Sequence, residues 1–256
     1  MNDIRISVIT IVFNGENEIQ RTIESVINQT YKNIEYILID GASKDKTMSI
    51  AEKYKEYFSK MISEPDKGIY NAMNKGLSYA TGDYVIFANS GDLIASNEVF
   101  ERVVKSIKEY GDLPELVYGN YAEVSNGIIG NEIQSYGHQR IWYGMFASHQ
   151  SMFYKLDFIK NNNIQFDESY KIAADYKFTM QTIVNGNRFL KVPYCISLFD
   201  ISGISNNNKD MGLYEADRAR KEVLKMGYIK RKSIILASKI SRFIKNNFRF
   251  IYKLYR

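Results

Sequence analysis

The sequence contains very little cysteine and histidine. Cys195 is the only cysteine among 256 residues, so no disulfide can form within the chain and no cysteine cluster can hold zinc. A single free thiol suits a reducing cytoplasm. Two histidines are also too few for a histidine-based metal site. Any metal ion is therefore expected to use oxygen ligands.

The sequence also lacks a long apolar run and a recognisable leader. No stretch approaches the roughly 20 apolar residues that span a bilayer. The first residues, MNDIR, lead into a short apolar strand and do not resemble a signal peptide. Hydrophobic residues make up 45% and charged residues 25%, as in ordinary globular proteins. We expect a cytoplasmic protein with a sizeable core and no membrane span.

Acidic residues are almost absent from the C-terminal tail. Residues 218–256 contain 13 Lys or Arg and one acid, Glu222, whereas the rest of the chain has an excess of acids. Over 234–256 the apolar side chains fall on one face of a helical wheel and the basic ones on the opposite side. This pattern favours binding to an anionic membrane surface. Packing on the body or on a second subunit, as in a homodimer, is the alternative, and nucleic acid is not expected as a partner.

Strand and helix patterns alternate over the first 120 residues. Buried strands are predicted at 6–13, 34–39, 61–62, 84–87 and 116–119, and amphipathic helices at 18–28, 46–58, 69–79 and 97–110. This order predicts an α/β protein with a parallel, doubly wound sheet and flanking helices.

The pattern changes after residue 120. Asn126-Gly127 between two apolar pairs is a strong hairpin signal. Further strands are predicted at 121–124, 128–129, 151–154, 188–192 and 195–199, and a helix at 172–184. The polar, Asn-rich stretch 203–212 is predicted to be a mobile loop. No repeats and no clear second globular domain are present.

A small polar loop follows the strand at 84–87. Its sequence, NSGD at 89–92, carries one carboxylate, Asp92. Ligands of open α/β sheets bind outside the carboxyl ends of the strands. Mg²⁺ prefers one or two carboxylates together with substrate phosphates. Asp92 is therefore a candidate metal ligand, although Gly and Asp are also ordinary turn residues.

Two other strand ends carry candidate residues. The turn after the first strand lacks the G-x-G-x-x-G fingerprint, which argues against a nicotinamide or flavin dehydrogenase. Asp40 ends the second strand, where it could accept hydrogen bonds from a base or ribose. A turn or helix-cap role is equally compatible with Asp40, and a cap role is favoured for Asp45.

Four motifs in order resemble the family 2 glycosyltransferases. They are SVITIVFN at 7–14, IDGASKDKT at 39–47, DKGIYNAMNKG at 66–76 and NSGD at 89–92. The resemblance covers roughly residues 5–205. It implies a GT-A fold with a mixed sheet over 1–212, comprising a nucleotide-sugar half at 1–120 and an acceptor half at 121–212. Residues 213–256 would form the helical basic extension.

The resemblance also implies roles for individual residues at the donor site. Base and ribose contacts would come from Thr10, Phe13, Asn14 and Asp40, with Asp66 and Lys67 near the same nucleotide. The loop residues Asn89, Ser90 and Gly91 would line the nucleotide sugar, and Asp92 would hold Mg²⁺ or Mn²⁺. The family motif commonly ends in two acids, and here Gly91 stands in the place of the first.

The family pattern places a catalytic base near the start of a later helix. The matching stretch is IAADY at 172–176, so Asp175 would be the base and the small Ala174 would let an acceptor approach. A general base must reach the acceptor hydroxyl. His149 and Gln150 would line the acceptor pocket, with a structural histidine as the alternative. The stretch 200–205 resembles a segment that closes over donor phosphates.

Three hypotheses of function follow. The first is an inverting glycosyltransferase that moves a sugar from a nucleotide-diphosphate sugar, expected to be UDP-linked, to a glycan or polyprenyl-diphosphate-linked acceptor. Its place would be bacterial surface-polysaccharide synthesis at the inner face of the plasma membrane. The alternatives are a nucleotide-sugar nucleotidylyltransferase and a non-catalytic membrane-surface module.

Overall fold

The computed structural model describes residues 3–125, 127–200 and 209–247, and it contains one nine-stranded sheet. The strands are β1 Ile6–Val12, β2 Ile34–Asp40, β3 Lys60–Ser63, β4 Tyr84–Phe87, β5 Leu93–Ile94, β6 Leu116–Ser125, β7 Ile128–Ile133, β8 Met152–Lys155 and β9 Phe189–Asp200. Their order across the sheet is β3-β2-β1-β4-β8-β6-β9-β5, and β7 pairs with β6.

Eight α-helices flank the sheet in the described part of the chain. They are α1 Ile19–Ile27, α2 Thr47–Ala51, α3 Ile69–Tyr79, α4 Val99–Tyr110, α5 Leu156–Asn161, α6 Ala174–Asn185, α7 Lys209–Glu222 and α8 Tyr228–Asn247. Every residue of β1 is buried, since apolar clusters cover both faces of the sheet. This is the expected α/β architecture with a mixed sheet.

The first half of the sheet is parallel, as expected from the alternating pattern. β1 pairs in parallel with β2 and β4, and β2 with β3. The register sets Val12 opposite Asp40 and Asp40 opposite Ser63. The carboxyl ends of three strands therefore meet at one edge, which is where a ligand site is expected.

The second half completes the same sheet mainly with antiparallel pairs, although β9 runs parallel to β6. β8 runs antiparallel to both β4 and β6, and β5 runs antiparallel to β9. Strands from before and after residue 120 are thus direct neighbours. The two halves share one sheet, because β4 and β5 both need a partner from beyond residue 150.

Several predicted boundaries differ from the structure. The helix predicted at 46–58 is α2 followed by a 3₁₀ turn at Glu52–Tyr57, with a kink at Tyr54. The strands predicted at 188–192 and 195–199 form one strand, β9, whose register against β6 shifts at Asn120. A register shift keeps the ladder continuous across an irregular residue, so the interruption in the apolar pattern did not mark a strand end.

Three elements were not predicted, and one loop prediction is partly wrong. The short β5, the six-residue α5 and the polar helix α7 give weak periodic signals. Of the loop predicted at 203–212, residues up to 208 lie outside the described residues. The remainder belongs to α7, which begins at Lys209.

The helix α8 forms the described part of the basic tail. Its buried side includes Ile234, which is 4% exposed, and Arg231, whose guanidinium pairs with the Asp217 carboxylate of α7 at 2.7 Å. Residues 248–256 of the predicted tail helix lie outside the described residues. Among the described helices none is both long enough and apolar enough to span a bilayer.

Candidate active site

Gly41, directly after β2, lies beside Phe13 and Asp66, and we call the surface formed by these three residues the Gly41 crevice. A Cβ added to Gly41 would lie 2.6 Å from Oδ2 of Asp66 and 3.3 Å from Cδ2 of Phe13. The Phe13 ring is 65% exposed, which is unusual for phenylalanine. Lys67 follows Asp66, and its main-chain N–H donates to Asn71 over 3.2 Å. Two of the residues predicted to contact the nucleotide, Phe13 and Asp66, therefore lie close to each other on either side of Gly41, which has no side chain.

Thr10 and Asp40 are completely buried beside this crevice. The Thr10 hydroxyl donates to the Ala88 carbonyl at 2.7 Å. The Asp40 carboxylate accepts bonds from the main-chain N–H of Ser43 at 3.0 Å and from the hydroxyls of Ser43 and Ser63. Both side chains therefore connect neighbouring strand ends and hold the buried side of the crevice in place.

Asn14 connects the loops that follow β1 and β2. Its Oδ1 accepts the main-chain N–H of Lys44 at 2.9 Å, and its own N–H donates to the Ser43 hydroxyl at 2.8 Å. Its φ angle is +50°, a left-handed conformation that asparagine tolerates better than most residues. Asn14 is placed to fix the shape of the crevice wall.

The loop at 89–92 contains two buried polar atoms without a hydrogen-bond partner. They are Oδ1 of Asn89 and Oγ of Ser90. A Cβ on Gly15 would lie 2.7 Å from Ser90 Oγ, so the absence of a side chain at Gly15 lets the first loop approach that atom closely. Buried polar atoms are normally paired, because an unpaired one is costly. The two atoms point to a polar ligand at this loop.

Asp92 lies 5% exposed at the end of the same loop. Burial raises the pKa of its carboxyl to about 7, although a hydrogen bond from the Gln150 side chain acts in the opposite direction. The main-chain N–H of Asp200 donates to Asp92 over 3.4 Å, and the Asp200 charge further raises the Asp92 pKa. Gly91 faces this neighbour, because a Cβ there would lie 3.8 Å from Cβ of Asp200.

These oxygens fit a hard divalent cation only in part. Within the described ranges no group of three or more His, Cys, Asp or Glu residues is arranged to hold a metal ion. Asp92 and Asp200 bring two carboxylates to this loop, and burial together with the Asp200 charge raises the Asp92 pKa. A diphosphate would have to provide the remaining ligands, as is usual for Mg²⁺.

Asp175 lies in the first turn of α6 and is half-buried. Its Oδ1 accepts the main-chain N–H of Tyr176 at 2.8 Å. Burial is the main reason that the Asp175 pKa is raised to about 6. Such a carboxylate is ionised at neutral pH and is more basic than an exposed one. The preceding Ala174 is fully buried, so its methyl group belongs to the core.

His149 lies inside an aromatic cluster. Its ring centroid is 5.2 Å from that of Phe87 and 5.7 Å from that of Phe166, and the residue is 5% exposed. Burial lowers the His149 pKa to about 4, so the ring is neutral. Nδ1 lies 3.4 Å from the Tyr154 hydroxyl, whereas Nε2 is buried without a partner.

Two residues that contact this region were not predicted as site residues. Asp200 was predicted only as part of a loop over phosphates, and the rest of that segment, 201–205, lies outside the described residues. Glu215 of α7 accepts bonds from the segment that precedes Asp175. No motif marks Glu215, which lies 40 residues further along the chain.

Comparisons with known proteins identify the family of the chain. The family model described as Glycosyl transferase family 2 matches residues 7–170. A glycosyltransferase of Mycobacterium tuberculosis is 28% identical over 211 residues, covering 82% of this chain and 80% of the relative. A PGL/p-HBAD biosynthesis glycosyltransferase of Mycobacterium bovis is 26% identical over 194 residues, covering 73% and 74%.

Two solved structures share the fold. Staphylococcus aureus TarS, solved with UDP-GlcNAc, has a TM-score of 0.70 at 21% identity, covering 96% of this chain and 73% of that one. A mannosyltransferase of Pyrobaculum calidifontis, solved with GDP-Man and Mn²⁺, has a TM-score of 0.67 at 16% identity, covering 93% and 70%. Both likenesses support the GT-A fold, and the family match covers more than half of the chain. The chain belongs to glycosyl transferase family 2.

Proposed function

We propose that this glycosyltransferase inverts the anomeric centre of a UDP-sugar and transfers the sugar to a glycan or polyprenyl-diphosphate-linked acceptor. The observation that carries the proposal is the presence of two carboxylates with raised pKa values, Asp92 and Asp175, in a sheet of GT-A type. Groups with perturbed pKa values in a cleft are candidates for catalysis and ion binding.

The donor site is proposed to extend from Gly41 to the 89–92 loop. The exposed Phe13 ring offers a stacking surface for a base, and Asp66 beside it offers an acceptor for the base or ribose. Ser90 Oγ could donate to a diphosphate oxygen, and Asn89 Oδ1 could accept from a sugar hydroxyl. This arrangement gives both unpaired atoms a partner.

Asp92, with Asp200 beside it, is proposed to hold Mg²⁺ or Mn²⁺ against the donor diphosphate. A bound divalent cation neutralises charge on the leaving diphosphate. The two carboxylates come from different strand ends, so the second one substitutes for the acid that Gly91 replaces. The neutral His149 and Gln150, which donates to Asp92, are proposed to line the adjacent acceptor side together with the backbone at Ala174.

Asp175 is proposed to act as the general base. Its carboxylate takes the proton of the acceptor hydroxyl while the oxygen attacks C1 of the sugar from the face opposite the diphosphate. The bond from C1 to the diphosphate breaks, and UDP leaves with the electron pair. A base with a pKa of about 6 is well matched to this step near neutral pH.

The exposed face of α8 supports a proposed peripheral attachment to the cytoplasmic membrane face. Ile229, Leu236, Ile240 and Phe243 are each at least 50% exposed. At 100° per residue they fall within about 60° of one another, on the side opposite the buried Arg231. Basic side chains on the same helix would favour anionic lipid by about 1 kcal/mol each. A second copy of the chain is the alternative partner for this stripe.

The experiment that tests the proposal is a binding panel. Calorimetry with UDP, GDP, dTDP and CMP, with and without Mn²⁺, is expected to show that UDP binds and that Mn²⁺ strengthens its binding. This binding should be lost in Asp92→Ala. The control Asp157→Ala alters an exposed aspartate on α5. Binding of GDP alone would overturn the choice of nucleotide, and no nucleotide binding by folded protein would overturn the proposed donor site.

Two further measurements separate the earlier hypotheses. Release of pyrophosphate from UTP and a sugar phosphate would indicate a nucleotidylyltransferase, which family membership argues against. Determination of the anomeric configuration of the transferred sugar tests inversion directly. A product that retains the donor configuration would contradict the proposed single displacement.

A further inference from the structure

Glu215 binds three consecutive main-chain N–H groups with one carboxylate. Oε1 accepts from Lys171 at 2.8 Å, and Oε2 accepts from Ile172 and Ala173 at 2.9 Å each. Glu215 is only 4% exposed. Hydrogen bonds to an ionised carboxylate are stronger than those between neutral groups. The three bonds therefore fix the segment 171–173 firmly against α7.

The segment 171–173 leads directly into the helix that carries Asp175. Ala173 is the N-cap residue of α6 and has no side chain that could cap the helix. The N–H groups at a helix start have no partner within the helix and are usually satisfied by a polar cap residue. Here Glu215 of the distant helix α7 accepts the N–H of the N-cap residue Ala173 and those of the two residues before it, and Asp175 is the second residue of α6.

We infer that Glu215 is a positioning residue that sets the orientation of Asp175 towards the acceptor hydroxyl. This inference rests on the proposed role of Asp175 as the general base. Glu215 lies outside the residues that match the family model, 7–170. It touches neither substrate nor metal in this assignment, and its direct contacts are with the main chain before α6.

Other contacts of α7 show that the helix is itself firmly anchored. Arg220 donates to the carbonyls of Trp142 at 2.9 Å and Tyr143 at 2.6 Å. Glu222 accepts from the Tyr170 hydroxyl at 3.0 Å and from Lys177 at 2.5 Å. An anchored helix can hold the segment that precedes Asp175 in one position.

Glu215 also affects Asp175 through its charge. Burial is the larger cause of the raised Asp175 pKa, and the negative charge of Glu215 raises it further. The other titratable groups that face Asp175 are the hydroxyls of Tyr70 from α3 and Tyr154 from β8. Removing the Glu215 charge should therefore lower the Asp175 pKa, which is a result that a loss of packing alone would not produce.

The test compares Glu215→Gln with Asp217→Asn in the full-length chain. Both variants remove one negative charge from a buried residue of α7, but Asp217 pairs with Arg231 and Lys232 of α8 and is not bonded to 171–173. Hydrogen exchange, measured without substrate, is expected to become faster at the amides of 171–173 in Glu215→Gln only. Unchanged exchange there would overturn the inference.

Kinetics provide the second readout, with UDP release from UDP-GlcNAc and from UDP-glucose as the assays. Glu215→Gln is expected to lower kcat by roughly 10- to 100-fold, since small displacements of a catalytic group are that costly. The UDP dissociation constant should not change. The acid limb of the kcat profile should move to lower pH, whereas Asp217→Asn should leave it in place.

The outcomes separate the inference from the proposed function. An unchanged kcat and acid limb in Glu215→Gln, with Asp175→Asn inactive, would overturn the positioning role. Full activity of Asp175→Asn would instead overturn the proposed base and with it the catalytic part of the inference. The exchange measurement would still decide whether Glu215 holds the segment.

Discussion

The main-chain N–H of Asp200 donates to Oδ1 of Asp92 over 3.4 Å, which joins two strand ends that are 108 residues apart in the chain. The contact exists because β5, directly after Asp92, pairs antiparallel with β9, which ends at Asp200. It brings two acids together at a buried point. Electrostatic repulsion between them contributes to the raised pKa of Asp92.

We expect Asp92→Asn to stabilise the metal-free protein at pH 8. The folded-state pKa of Asp92 is about 7, above the usual value of about 3.9 for an unfolded chain. The stability that this carboxyl contributes is therefore present below pH 4 and is lost as the pH rises through about 7. Asparagine cannot ionise, so the variant should gain about 1–3 kcal/mol at pH 8, or roughly 2–10 °C in Tm.

Thermal denaturation at pH 4 and pH 8 checks this expectation. The difference between Asp92→Asn and wild type should vanish at pH 4. Asp157→Asn, which alters an exposed residue, should show no gain at either pH. If Asp92→Asn were less stable than the wild type at pH 8, burial of the ionised Asp92 carboxylate would not be destabilising.

The rate of sugar transfer should rise with pH through about 6. Asp175 must be ionised to accept a proton, and burial raises its pKa to about 6. Asp175→Asn should lower kcat by about 10²–10⁴-fold, the usual contribution of a general base. Initial rates between pH 4.5 and 8.5 measure both effects. A flat profile in the wild type would argue against a base with this pKa.

Gly41→Ala should weaken nucleotide binding without affecting the surroundings of Asp175. The new methyl group would lie 2.6 Å from Oδ2 of Asp66, so that the carboxylate must move away from its bond to the Gly68 N–H, now 2.8 Å long. We expect the UDP dissociation constant to rise about tenfold, which corresponds to about 1.4 kcal/mol. Calorimetry measures it directly.

Gly144→Ala is the matched control for this change. No atom lies within 4 Å of a Cβ at Gly144, and its φ angle is not positive, so alanine fits there without strain. Equal UDP affinity in both alanine variants and in the wild type would place the nucleotide outside the Gly41 crevice.

Replacing the exposed apolar stripe of α8 should release the protein from anionic vesicles. The triple variant Leu236→Ser, Ile240→Ser, Phe243→Ser removes side chains that are 50–62% exposed, so the fold should be little affected. Sedimentation with phosphatidylglycerol vesicles is expected to show at least a tenfold loss of binding, because each buried methylene contributes about 0.8 kcal/mol.

A control for this stripe is available in the β6–β7 hairpin. Ile128→Ser with Ile129→Ser removes comparably exposed apolar groups from another surface and should leave vesicle binding intact. Unchanged vesicle binding by the triple variant, together with a change in oligomeric state, would instead assign the stripe to a second copy of the chain.

Periodicity predicted the parallel half of the sheet well. Helix α3 and strand β4 have the predicted bounds, since their apolar residues follow one period without interruption. Helix α7 was missed because its buried side consists largely of polar residues such as Glu215, Asp217 and Arg220. A residue that is buried through hydrogen bonds and ion pairs gives no apolar signal in the sequence.

The sequence predicted those residues of the candidate site that belong to local motifs, but not those brought to the site by distant strands. The stretch at 89–92 identified Asp92, because the residue directly follows an apolar strand. The neighbouring Asp200 depends on the pairing of β5 with β9, and no local pattern encodes which distant strands will pair. The unpaired Nε2 of His149 likewise results from packing among aromatic rings.

The shared sheet has a consequence for the order of events during synthesis. When the first 120 residues have left the ribosome, β4 and β5 still lack the partners that β8 and β9 provide. The Asp92 loop then has no neighbour from residue 200, and Asp175 has not yet been added to the chain. The contact between Asp92 and Asp200 therefore forms only after the second half of the sheet has been made, so the loop at 89–92 is completed late in synthesis.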